Sequence, residues 1–179
     1  MALVDPLVVP RVLFHGLHPR AMLLTTTHVR RLFFSPQFPD DKLEEFTKCL
    51  AESESWAWQL GMMLKFIDFN RVVRRSIVGW GSGKTDGERI LMLGGEGDVL
   101  MDVAMVHRLA RRYRKTVRDS EGAQEIGRAG EVGYDTETYT EDREDGVRVV
   151  ILKGAGHHFQ NDLQWEVGAQ RVVDFLQQL

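Results

Sequence analysis

Apolar and polar positions fall into two regimes along the chain. From about residue 20 to 75 apolar residues recur at three- and four-residue steps, the period of a helix face. From residue 88 they gather into short unbroken runs separated by one helical stretch. In the first regime Thr25 or Thr26 can cap a helix through His28, Arg30, Leu32 and Phe34 that stops at Pro36. Asp40, just after Pro39, is placed to cap a second helix, on which Leu43, Phe46 and Leu50 form one apolar stripe. A third helical stretch, about Trp56 to Phe69, is rich in Trp, Met and Phe; Met62, Met63, Phe66 and Phe69 fill either a core or a substrate-facing wall.

In the second regime Arg89 to Leu93 is an apolar run that ends in Gly94-Gly95, as a buried parallel strand does. A helix is expected over 100–117, burying Val103, Val106, Leu109, Ala110 and Tyr113. Arg108, Arg111, Arg112, Arg114 and Lys115 then make a solvated basic face. Residues 119–146 contain ten Asp or Glu, two Arg and five Gly with no sustained apolar period, which reads as a surface loop. Val147 to Leu152 is a second strand. A last helix is expected from Asn161 or Asp162 to Gln178, burying Trp165, Ala169, Val172, Val173 and Phe175 or Leu176. Strand, helix, strand is a parallel unit with a right-handed crossover, so the fold class is α/β. Two such strands want neighbours on both edges, which calls for a partner across the unpaired edge or for more sheet outside this chain.

Composition narrows this picture slightly. At 179 residues, 43% hydrophobic and 27% charged, the chain can bury one core. Its net charge of −3 gives no reason to expect nucleic acid or an anionic membrane as partner. Cys49 is the single cysteine, so no internal disulfide can form and a reducing, cytoplasmic compartment is expected. The amino terminus is apolar but broken by Pro6 and Pro10 and has no basic leader, a poor signal peptide. Its abrupt opening reads as a chain that starts inside a larger fold.

The candidate chemistry lies after the two strands. Gly94-Gly95-Glu96-Gly97-Asp98 follows the first, and Gly154-Ala155-Gly156-His157-His158-Phe159 follows the second. Chain direction brings both to the carboxyl edge of a parallel sheet, where α/β proteins collect ligands. There an Asp can orient a His and leave its other ring nitrogen as a general base.

ILMLGGEGDVLM and VVILKGAGHHFQND resemble the two segments that carry the catalytic acid and histidine in the α/β-hydrolase superfamily. The stretch from His15 to Trp58 is similar to the helical cap of its fungal and plant esterase-like branch. The resemblance implies a partial α/β-hydrolase fold: a helical cap or lid region and return loop over 1–87, then the last two parallel strands and their helices over 88–179. It implies a hydrolase of ester, thioester or related acyl bonds. Asp98 and His157 take the second and third places of the Ser-Asp-His order, while Trp56, Trp58, Met62 and Phe66 line an acyl pocket from the cap. His158 packs or faces solvent, Glu96 is the alternative acid, and Asp102 is an early-helix acid. The substrate is a small molecule, with no cofactor and no metal, and the unpaired sheet edge leaves room for self-association or a second chain.

The chain departs from that family at the nucleophile. Its six serines are Ser35, Ser53, Ser55, Ser76, Ser82 and Ser120, and none lies in a G-x-S-x-G elbow. The elbow, most core strands and the oxyanion loop are expected before Met1, and without them catalysis by this chain alone should be negligible. A truncated, non-catalytic remnant or pseudoenzyme that binds a partner is the rival reading. Two other signals fail. Gly79 to Thr85 mimics a phosphate-binding loop, but Val78 stands where its first Gly is required, so the stretch reads as the return loop. His15-Gly16 mimics an oxyanion loop, but no elbow follows it. Adjacent histidines such as His157 and His158 usually point apart, and no second cluster supplies the missing ligands, which argues against zinc shared with Asp162.

Overall fold

The computed structural model of the chain describes residues 25–50, 68–72, 88–119 and 133–178. Helix α1 (Thr26–Phe33) starts where Thr25 accepts a hydrogen bond from the His28 amide on its side chain at 3.3 Å. Helix α2 (Asp40–Cys49) follows, with Pro39 rather than Asp40 at the cap position. The Asp40 carboxylate pairs instead with Arg30. Val29, Phe34, Phe38 and Leu43 are buried between the two helices, with Phe33, Phe46 and Leu50 packed around them. Phe34 and Phe38 stack at 4.0 Å between ring centroids. The apolar stripe of Leu43, Phe46 and Leu50 therefore has its partner. A short helix α3 (Phe69–Val72) is the next described element.

Beyond it come β1 (Ile90–Gly95), α4 (Val103–Asp119), β2 (Tyr134–Asp135), β3 (Tyr139–Glu144), β4 (Val147–Leu152), a 3-10 turn (Phe159–Asn161) and α5 (Trp165–Leu176). Helices and a mixed sheet of order β1-β4-β3-β2 make the fold α/β. β1 and β4 run parallel, with Ile90 opposite Val147 and Gly95 opposite Leu152. α4 covers one face of the sheet, where Val106 and Ala110 meet Val147, Val149 and Ile151. α5 covers the other, where Val167 packs with Val150, Leu152, Leu91 and Leu93. Each fully buried Val is worth roughly 1.5–3 kcal/mol of transfer free energy.

Three expectations need correction. The acidic stretch is not all loop, because β2 and β3 lie within it. β3 pairs antiparallel with β4 through a two-residue turn, Asp145-Gly146, with φ of 48° and 72°. Two residues in the left-handed region suit the twist of a hairpin. β3 has no apolar period because charge pairs hold its side chains. Asp142 and Glu144 meet Arg114 on one face, and Glu141 meets Arg143 on the other. The chain's own hairpin thus fills one flank of β4, while among the described residues β1 lies at the sheet edge.

Arg114, placed on the solvated face by sequence, is buried against β3 and also donates to the Val147 carbonyl at 3.3 Å. Arg108, Arg111, Arg112 and Lys115 are exposed as expected. On α5, only Phe175 of the expected core residues is buried. Trp165 (51% exposed), Ala169, Val172, Val173 and Leu176 (59%) lie on a flank that no described element covers. The sheet-facing line runs instead through Val167, Gly168, Arg171 and Phe175, with Arg171 lying over the ring of Tyr139 on β3.

Candidate active site

Parallel pairing brings the ends of β1 and β4 side by side, and the loops after them are stitched together. Glu96 donates its amide to the Leu152 carbonyl at 2.9 Å, and Gly97 donates to Ala155 at 2.9 Å. The Glu96 carboxylate accepts from the Gly154 amide at 3.0 Å. Gly95 faces the carbonyls of Ala155 and Gly156 so closely that a Cβ there would collide with both. The approach is possible because the position is glycine.

This seam sets Asp98 and His157 in contact. His157 Nδ1 donates to Asp98 Oδ2 at 2.8 Å across 59 residues of sequence. The other carboxylate oxygen, Oδ1, accepts the amides of Leu100 and Met101, both at 2.8 Å. Held at both oxygens, and with its side chain 5% exposed, Asp98 has a fixed orientation. His157 is 36% exposed at the side chain. The hydrogen bond to Asp98 raises its pKa above the ordinary 6.5, in opposition to partial burial. Because the carboxylate can only accept, the neutral ring carries its proton on Nδ1, which leaves Nε2 as the basic nitrogen. Such an imidazole can take a proton from a hydroxyl or water and return it to a leaving group.

His158 turns the other way. Its amide donates to the Phe33 carbonyl at 2.7 Å, and its ring lies 5.0 Å from Phe46 and 5.8 Å from Phe34. Burial among these rings lowers its pKa, and the neighbouring His157 lowers it further. It packs, as expected. Glu96, the alternative acid, is engaged at Gly154. Asp102 precedes α4 and accepts the Met105 amide on its side chain at 2.6 Å, the work of an N-terminal cap. Trp56, Trp58, Met62 and Phe66 lie outside the described residues, as do His15-Gly16 and the Gly79–Thr85 loop.

Sequence reasoning missed two contributors. Phe33, at the end of α1, sets its ring 6.2 Å from that of His157. Asp162, 1% exposed, accepts four hydrogen bonds: from the Ser35 amide and hydroxyl, both at 2.6 Å, from Gly156 N at 2.9 Å and from Leu163 N at 2.8 Å. No local pattern marks this role, because Ser35 is 127 residues away. A cleft of about 370 Å³ lies elsewhere, lined by His107, Tyr134, Asp142, Val149 and Ile151 among others, and it does not include the dyad. Among the described residues no group of three or more His, Cys, Asp or Glu is placed to hold a metal ion. No described helix is long and apolar enough to cross a membrane. No protein-family model, curated protein or solved structure matches the chain.

Proposed function

We propose that the chain belongs to a hydrolase of the α/β-hydrolase type, with His157 as general base and Asp98 as the carboxylate that orients it. The bond cleaved is an ester, thioester or related acyl bond of a small molecule. The observation that carries this reading is the 2.8 Å contact between Asp98 and His157, presented from the carboxyl ends of adjacent parallel strands. In the reaction, Nε2 takes the proton of a serine hydroxyl as its oxygen attacks the acyl carbon, and Asp98 stabilises the imidazolium. The proton then passes to the departing alkoxide or thiolate, and water repeats the cycle on the acyl-enzyme. In this reading α1 and α2 form part of the cap, with Phe33 beside the base. The sequence contains no G-x-S-x-G, so the reading draws its serine from polypeptide outside it.

A second reading is favoured by the apolar flank of α5 that no described element covers and by β1 at the edge of the described sheet. In it the chain is a non-catalytic remnant that binds a partner through those surfaces. One experiment separates the two: map the 5′ end of the transcript and assay its full product on 4-nitrophenyl acetate. The hydrolase reading expects an in-frame extension bearing the elbow and turnover lost in His157→Ala. It also expects Asp98→Asn to reduce kcat by about 10⁴-fold, the scale of losing the correct tautomer. A stop codon close upstream, with no turnover, ends the catalytic reading.

A further inference from the structure

The backbone around His157 is tied down on both sides, and both ties lead to the end of α1. Before it, the Gly156 amide donates to the Asp162 carboxylate at 2.9 Å. After it, the His158 amide donates to the Phe33 carbonyl at 2.7 Å. The same Asp162 carboxylate receives the amide and hydroxyl of Ser35, two residues beyond Phe33. Gly156 touches the α1 terminus closely enough that a Cβ would lie 2.6 Å from the Phe33 carbonyl oxygen. Among the described residues this buried carboxylate meets four donors and no cation, so geometry holds it, and losing its acceptor capacity leaves several buried N–H groups unpaired.

We propose that Asp162 is the positioning residue of the dyad: it clamps the Gly156–His158 turn onto the end of α1, so that the His157 ring meets Asp98 and α1 is seated beside it. Its functional meaning rests on the reading of His157 as base. Its structural content does not. Asn at this position can accept on one atom only, and its amide group would face the Ser35 and Gly156 N–H groups as a second donor. The turn then loses its anchor, and the imidazole drifts from Asp98 while the sheet stays intact.

The test uses the full chain labelled with ¹³C and ¹⁵N at histidine. The ring titration and tautomer of His157 are followed by NMR in the wild type, Asp98→Asn, Asp162→Asn and Ser35→Ala. Circular dichroism and sheet amide resonances report the fold. Asp162→Asn is expected to bring the His157 midpoint down to that of Asp98→Asn with the sheet resonances kept, and Ser35→Ala to shift it part of the way. A purely structural Asp162 would lower the melting temperature and leave the His157 midpoint unchanged in the folded protein; that result overturns the proposal. If Asp162→Asn does not fold, Ser35→Ala decides, and an unmoved midpoint there overturns it equally. Failure of Asp98→Asn to move the midpoint refutes the acid–base pairing itself, which separates the two claims.

Discussion

At the scale of single residues, neighbouring histidines respond to protons in opposite senses. The pKa of His157 is raised in the folded chain, so its contribution to stability is full below the unfolded value of about 6.5 and is lost as pH rises through the folded value. His158 is lowered, so it costs stability as pH falls below about 6.5. Asp98→Asn removes the first effect and leaves the second. The stability gap between wild type and Asp98→Asn should therefore be widest near about pH 5 and narrow towards about pH 8, as urea titrations can show. A gap that is flat or widens with pH would contradict the assignment. Gly156 gives a second prediction. A methyl group there meets the Phe33 carbonyl and Phe34 backbone, neither of which can swing aside as a side chain can. Gly156→Ala should cost about 1–3 kcal/mol, the scale of overpacking, and weaken the His157–Phe33 ring contact seen as an NMR ring-current shift.

Among the elements, legibility in sequence followed the range of the forces that make each one. β1 and β4 were readable because apolar runs such as Val147 to Leu152 and their terminal glycines are local signals. Asp98 and His157 were readable through them, since strand direction alone puts both loops on one edge. β3 was not, because Glu141, Asp142 and Glu144 look solvated until Arg114 and Arg143 are folded against them. The Asp145-Gly146 turn was the available clue to the hairpin, a dipeptide signal independent of apolar period. α5 misled in the other direction: its apolar residues span more of the helix than the sheet covers. The buried charges have a measurable weight. Arg148 is fully buried on β4, with Nε 2.5 Å from Glu88, and Glu141 is buried nearby. Arg148→Met leaves Glu88 and Glu141 to Arg143, which pairs with both, and should lower stability by about 1–3 kcal/mol, measured by denaturant unfolding. A change under about 1 kcal/mol would show that the carboxylates escape to water.

For the whole molecule, the sheet divides into pairings of very different reach. β3 and β4 are joined by a two-residue turn, whereas β1 reaches β4 only after α4 and the segment beyond it. Hairpins of the first kind close in roughly microseconds, while distant parallel pairing first has to meet the entropy of closing a long loop. The β3–β4 hairpin is therefore expected to gain amide protection before β1 does in pulsed hydrogen-exchange refolding; simultaneous protection would count against this order. β4 thus serves as the template on which β1 arrives late. The dyad inherits that timing, because Asp98 rides on β1 and His157 on β4. Acid and base first meet when the slowest pairing is complete, so an incompletely folded chain holds an unoriented histidine. Any chemistry this pair performs is withheld from folding intermediates by topology.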